Sequence, residues 1–277
     1  MKTKSRTPSA SNETTVLEVM RCRVSRKPSR GQDVLVREEP LEIRVRGKSV
    51  AVTMRTPGQD KELAVGFLLT EGVVRRASDI VEIAPCRESS DPENVLNVFL
   101  SPAVSVDFER LTRHVFASSS CGVCGKATIE AVHQQFEPIE SDITISPATL
   151  AALPGRMKRA QKTFEATGGL HAAAIFDLRG KLLFSAEDVG RHNAVDKVIG
   201  WGLLKSKLPF REHVLLVSGR ASFEIMQKAL AARIAIVAAV SAPSSLAVEF
   251  ARESGQTLIG FLRGDTMNLY AGATKVK

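Results

Sequence analysis

The sequence predicts an α/β protein in two parts: a small α+β unit, then a larger α/β unit built on a parallel sheet. Three observations carry this. Helix and strand patterns alternate from residue 191 to residue 262, and strand–helix–strand repeats imply parallel strands covered on both faces. The run Val214-Leu215-Leu216-Val217 is apolar at every position, as a strand buried on both faces must be. Earlier in the chain, apolar and polar residues alternate at Leu41-Glu42-Ile43-Arg44-Val45-Arg46, which marks a half-buried strand.

Met1 to about Thr15 is rich in Ser, Thr, Lys and Arg without periodicity. It reads as a disordered basic tail. The Leu41–Arg46 pattern resumes at Val50, Val52 and Met54 after Gly47-Lys48, giving a β-hairpin. Pro57-Gly58 ends it, and a helix starts near Asp60 with Leu63, Ala64, Phe67 and Leu68 on one face. Ile80–Ile83 and Val95–Leu100 read as strands. The division expected is a tail (1–15), an N-terminal α+β unit (16–115) and a C-terminal α/β unit (116–277). In the last, helices are expected over 125–136 and 147–166. Strands Ala172–Phe176 and Lys181–Ser185 flank an Asp177–Gly180 turn. Helix 191–205, strand 213–218, helix 221–232, strand 234–239, helix 244–253 and strand 256–262 follow.

The chain has 277 residues, 44% hydrophobic and 25% charged, which is ordinary globular composition. Only 5% are aromatic, too few for platforms that stack single-stranded nucleic acid. The net charge is +8, but residues 1–30 hold eight Lys/Arg against two Glu. The rest is nearly neutral, so no nucleic-acid partner is expected. The most apolar stretch, Ile234–Val248, is too short and too broken at Pro243 to span a bilayer. No apolar segment follows the basic N-terminus, so a soluble, cytoplasmic protein without membrane attachment is expected.

Four cysteines, Cys22, Cys86, Cys121 and Cys124, are too few for a secreted disulfide framework. Cys121 and Cys124 form a CxxC pair in Ser118-Ser119-Ser120-Cys121-Gly122-Val123-Cys124-Gly125-Lys126, just before an expected helix. A helix N-terminus and a nearby Lys126 favour thiolate over thiol. Four chemistries compete for the pair. A zinc knuckle needs four ligands, and Cys22, Cys86, His114 and His133 make no recognisable second pair. A thioredoxin-like dithiol is poorly matched by the Ser run and the later architecture. A zinc deaminase also opens a helix with P-C-x-x-C, but Ser120 replaces the Pro and no H-x-E precedes. The fourth is sulfur transfer through a cysteine persulfide. No resident metal is expected.

Other motifs sit at strand ends. Glu187-Asp188-Val189-Gly190-Arg191-His192-Asn193-Ala194-Val195-Asp196-Lys197 spans a strand-to-helix junction. It reads either as a cap made by Asp188 or as an anion site with Arg191 and His192 as donors. Gly168-Gly169-Leu170-His171 enters a strand. Ser218-Gly219-Arg220-Ala221-Ser222, Ser241–Ser245 and Phe261-Leu262-Arg263-Gly264-Asp265-Thr266 each follow a buried strand. Ligands gather beyond the carboxyl ends of parallel strands, so these loops together suit one polyanionic ligand.

From about Glu39 to Gly272 the chain resembles the formate dehydrogenase accessory sulfurtransferase family, FdhD/NarQ. The matching motifs are Glu39-Pro40-Leu41, Thr56–Gly58, Glu62–Leu68, Thr70–Gly72, Ser120–Gly125, Thr167–Ala172, Glu187–Lys197, Ser218–Glu224 and Gly260–Arg263. The resemblance implies a cytidine-deaminase-like three-layer sandwich with an added N-terminal α+β subdomain, working as a homodimer. It implies an enzyme, a sulfurtransferase, that takes persulfide sulfur from a cysteine desulfurase. The recipient is the molybdenum (or tungsten) bis-guanine-dinucleotide cofactor, before its insertion into formate dehydrogenase. Cys121 then matches the persulfide position and Cys124 its partner. Phe261, Leu262, Arg263, Gly264, Asp265 and Thr266 match the cofactor-binding stretch, to which Arg220, Arg191 and His192 add donors. A non-catalytic cofactor chaperone and a CxxC thiol oxidoreductase are the alternatives.

Overall fold

The computed structural model describes residues 11–87, 89, 91–109, 111, 132, 133 and 135–277. Cys121, Cys124 and nearly all of the helix expected over 125–136 lie outside the described residues, as do residues 1–10 of the expected tail.

The chain opens with a feature the sequence pattern did not announce. Strands β1 (Thr14–Arg23) and β2 (Arg26–Val36) form an antiparallel ribbon by themselves. Both are mostly exposed, so neither face needs the alternation that betrays a half-buried strand. A four-stranded sheet follows, in the order β4-β3-β6-β5. The expected hairpin is β3 (Glu39–Val45) and β4 (Lys48–Arg55). Two further expected strands are β5 (Ile80–Pro85) and β6 (Val95–Leu100). The first helix, α1 (Asp60–Thr70), begins where Pro57-Gly58 ends the hairpin.

The larger sheet has six strands in the order β12-β11-β10-β9-β7-β8. These are β7 (His171–Asp177), β8 (Leu182–Asp188), β9 (His213–Val217), β10 (Ile236–Ala239), β11 (Thr257–Arg263) and β12 (Thr266–Ala271). Within this sheet β9, β10 and β11 run parallel to one another. The strands of the expected alternation are thus parallel, while β7 and β12 pair antiparallel at its two sides and make the sheet mixed. The reason is local. Asp177 and Gly180 close a tight turn that sends β8 back along β7, and Gly264-Asp265 does the same between β11 and β12. Hairpins, not crossovers, therefore join those pairs.

Among the described residues five helices complete this part: α2 (Pro147–Ala160), α3 (Lys162–Thr167), α4 (Arg191–Leu204), α5 (Phe223–Ala231) and α6 (Ser245–Glu253). The single helix expected over 147–166 is thus two, broken at Gln161. Successive residues of the central strands serve opposite cores. Ala173, Ile175, Leu215, Val217 and Val237 face α4, α5 and α6. Ala174, Phe176, Val214, Leu216 and Ile236 face α2. Both faces are covered, which is why β9 reads as an unbroken apolar run.

The two sheets share one apolar core, running from Leu41 through Leu100 to Ala271. The join is α1 lying across α4. A Cβ on Gly66 would sit 1.9 Å from the carbonyl oxygen of Asp196, and one on Gly200 would sit 1.8 Å from that of Glu62. Only glycines let the two backbones meet this closely. A buried ion pair seals the same junction. Lys228 on α5 donates to both Asp196 oxygens at 2.9 and 2.8 Å and to the Thr70 hydroxyl at 3.0 Å. Among the described residues no helix is long and apolar enough to cross a membrane.

Candidate functional site

Strand directions decide which motifs meet. β8 runs antiparallel to β7, and β7 antiparallel to β9, so β8, β9, β10 and β11 all end at one edge of the sheet. The start of β7 lies there as well. His171, Glu187–His192, Ser218–Ser222, Ser241–Ser244 and Phe261–Thr266 therefore line one edge. At about 4.8 Å per strand this edge runs roughly 19 Å from β8 to β11, a span suited to an extended ligand.

The last three loops are tied to one another. Ala221 N–H donates to Ala242 O at 3.2 Å, and Ser244 N–H to Ala221 O at 3.0 Å. Phe261 N–H donates to Ser241 O at 3.1 Å. Arg263 Nε donates to Val240 O at 2.9 Å. The β11 ladder breaks between Gly260 and Arg263, and Phe261 sits in the left-handed region at φ 52°. An aromatic side chain pays for that conformation, and here it turns the ring out to solvent. The Arg263 guanidinium lies 5.8 Å from the ring centroid. Gly264, Asp265 and Thr266 are exposed at the hairpin tip. Leu262 is different: its side chain is fully buried in the core on the α2 side, so only its backbone reaches the edge.

The Glu187–Lys197 motif divides in two. Its inward half is a lock. Lys197 Nζ meets Asp188 Oδ2 at 2.7 Å, with both side chains buried. It also donates to the Thr56 and Glu187 carbonyls at 3.0 and 3.2 Å. Asp188 further accepts from Thr56 N–H at 3.2 Å, Gly190 N–H at 2.8 Å and Asn193 Nδ2 at 2.9 Å. Asn193 also donates to Met54 O at 2.8 Å. These bonds fasten the Thr56-Pro57-Gly58 loop to the start of α4. Glu187 takes the N–H groups of Thr163 and Phe164 at 3.1 and 2.8 Å. Burial nevertheless pushes its carboxyl above the usual range.

The outward half is Arg191 and His192. His192 Nε2 lies 3.3 Å from the Ser222 hydroxyl and 3.8 Å from Glu224 Oε2. Burial first, then Arg191 and Lys228, push its pKa down to about 4. At neutral pH it is an uncharged imidazole. Burial opposes ionisation of Glu224, but the Ser222 hydroxyl, its own N–H, His192 and Arg191 outweigh it and hold the carboxyl low. Burial and Arg191 also keep His171 neutral. Arg191 Nε is buried and unpartnered, and Arg220 is exposed nearby. The edge thus offers fixed cationic and neutral donors to an anion. Sequence reading did not single out Glu224 or Thr56 as parts of this edge, although both lie in its quoted motifs.

Fold and edge define the class: a mixed α/β protein whose polar loops gather at the carboxyl ends of one sheet's strands. The model of the FdhD/NarQ family matches residues 36–277, and the chain belongs to that family. It is 54% identical over 250 residues to a "Sulfur carrier protein FdhD" of Mycolicibacterium paratuberculosis, covering 88% of this chain and 92% of that one. The protein of the same name from Mycobacterium tuberculosis is 52% identical over 253 residues, with the same coverages. The one from Streptomyces coelicolor is 52% identical over 251 residues, covering 88% and 89%. A crystal structure described as that of a formate dehydrogenase accessory protein from Desulfotalea psychrophila shares the fold. Its TM-score is 0.76 at 22% identity, covering 95% of this chain and 99% of that one.

Proposed function

We propose that this chain is a sulfur carrier in the maturation of formate dehydrogenase, with Cys121 as the carrying residue. What carries the reading is the identity above one half to relatives that bear that name, over 88% of the chain. In the loading step the Cys121 thiolate attacks the outer sulfur of a cysteine desulfurase persulfide. The desulfurase S–S bond breaks and its thiolate leaves, so the exchange needs no external electrons. In the delivering step Cys124 attacks Cys121 Sγ and releases hydrosulfide to the acceptor. The pair is left as a disulfide, which a cellular dithiol reduces.

The acceptor in this reading is the molybdenum (or tungsten) bis-guanine-dinucleotide cofactor, bound as substrate. Two nucleotides with pyrophosphates make it long and anionic. The strand-end edge offers Arg191, Arg220 and Arg263 as cations, the exposed Phe261 ring for a base, and neutral His192 with Ser222 as donors. The unpartnered Arg191 Nε supports an anion there, because a buried donor without an acceptor is costly. The lock between Asp188 and Lys197 keeps this edge rigid. We read the helices on both faces of the six-stranded sheet as a cytidine-deaminase-like sandwich (116–277) with an added subdomain (16–115). The protein works as a cytoplasmic homodimer.

The test is formate dehydrogenase activity in a host that lacks its own carrier, rescued by variants of this chain. Cys121→Ala abolishes rescue yet still binds GDP, used as half of the dinucleotide, in calorimetry. Arg263→Ala loses GDP. Full rescue by Cys121→Ala makes the chain a binding chaperone and removes the cysteine from the mechanism.

A further inference from the structure

A second concave surface lies at the opposite edge of the six-stranded sheet, where the parallel strands begin. It is a groove of about 410 Å³. Leu69 in the last turn of α1 and Val74 just beyond that helix, both buried, lie behind the half-buried Phe136, and Arg75, Arg211 and Arg233 rim the groove. Arg211 precedes β9 and Arg233 precedes β10, so the frame that fixes the cofactor edge also fixes this one. Arg233 is anchored by donating to the carbonyls of Glu137 and Pro138. Carbonyls hold a guanidinium in place without neutralising it. Arg75 and Arg211 are exposed, and neither side chain has an ion pair or hydrogen bond among the described residues. Among the described residues one carboxylate, Glu137, shares the groove, which leaves two cationic charges in excess.

The groove takes no part in the lock, the helix crossing or the cofactor edge. Its place in the sequence is informative. Phe136 follows Cys124 by twelve residues, so this wall of the groove is close in sequence to the thiols.

We propose that the arginine-rimmed groove receives an acidic segment, carrying at least one apolar side chain, of the protein that donates sulfur to Cys121. The inference rests on the sulfur-carrier reading and adds to it the surface that chooses the donor. Guanidinium groups pair bidentately with carboxylates, and three on one rim select a segment with several. Phe136, backed by the buried Leu69 and Val74, takes an apolar side chain, which a free phosphate or a nucleic-acid backbone lacks. Complementary charge of this kind sets encounter rate and partner choice, which a carrier visited by more than one protein needs.

The test uses the full chain and a purified cysteine desulfurase in a binding measurement at low and at near-physiological ionic strength. The charge reversal Arg75→Glu/Arg211→Glu touches two exposed side chains and leaves the melting temperature and GDP binding as in the parent. It weakens desulfurase binding about tenfold or more at low salt, and the parent's affinity falls with added salt. Arg75→Lys/Arg211→Lys keeps most of the affinity. Sulfur loading of Cys121 by the desulfurase slows in step with the reversal, whereas loading by inorganic polysulfide does not change. Equal binding by parent and reversed variant overturns the proposal. So does a reversed variant that passes from dimer to monomer, since a second copy then fills the groove. If the parent chain takes no sulfur from the desulfurase while polysulfide loads it, the carrier reading itself fails and this inference falls with it.

Discussion

Removing either partner of the Asp188–Lys197 pair is expected to cost several kcal/mol, and the two removals should not cost the same. The pair is 2.7 Å apart with side chains 0% and 2% exposed, so neither charge is recovered by water when the other goes. Breaking a buried pair from one side costs about 3–5 kcal/mol. Lys197→Met leaves Asp188 with three N–H donors, from Thr56, Gly190 and Asn193. Its cost belongs near the lower end, about 3 kcal/mol. Asp188→Asn is worse. One carboxylate oxygen accepts from Gly190 and Asn193, the other from Thr56 and Lys197. An amide must turn its NH2 against one of those donor sets, and Lys197 keeps only two carbonyls. Its cost belongs near about 5 kcal/mol, which rivals the whole stability of many domains. The assay is urea unfolding of the full chain by circular dichroism, with Asp188→Asn/Lys197→Met closing the cycle. The double variant costs less than the sum of the singles by about 2 kcal/mol or more. Single costs below about 1 kcal/mol, or strict additivity, refute the claim that this motif is a lock.

Two more predictions rest on separate observations. Gly66→Ala and Gly200→Ala each force a methyl into a backbone carbonyl across the α1–α4 crossing. Each should lower stability by about 3 kcal/mol or more, beyond the usual range of overpacking; a melt unchanged from the parent contradicts the crossing. His192 should make stability depend on pH. Its pKa is near 6.5 when unfolded and about 4 when folded, so between those values the unfolded chain binds the extra proton. Stability is full above about 6.5 and falls as the pH drops toward 4. A third of the side chain meets water, which reduces its share of that loss to about 1–2 kcal/mol. His192→Gln should flatten that part of the profile in unfolding titrations, and an unchanged slope contradicts it.

The sequence displayed those elements whose burial leaves a mark in it. β3 and β4 alternate because one face is buried, and β9 is apolar throughout because both are. β1 and β2 leave no such mark, since their ladder is backbone and their side chains meet water. β12 escaped for a related reason: Thr266, Asn268, Leu269 and Ala271 pair with β11 across an irregular register. The strand-end loops were legible because each follows a recognisable strand, and the fold does bring them to one edge. What they do there was only partly legible. In sequence Asp188 reads as a helix cap and Lys197 has no role of its own, because the partner they share, Thr56, is 132 residues from Asp188. Only the packing of the hairpin loop on α4 makes them a lock. Leu262 sat within a matched stretch, yet strand alternation carries its side chain inward.

The central claim is that Cys121 carries sulfur, and intact-mass spectrometry reads it directly. The full chain is incubated with a cysteine desulfurase and cysteine, then weighed before and after reduction. The account predicts a gain of one sulfur, about 32 Da, that dithiothreitol removes and that Cys121→Ala does not acquire, since thiolate attack on a persulfide leaves one sulfur on the attacking cysteine. No gain, or an equal gain in Cys121→Ala, contradicts it.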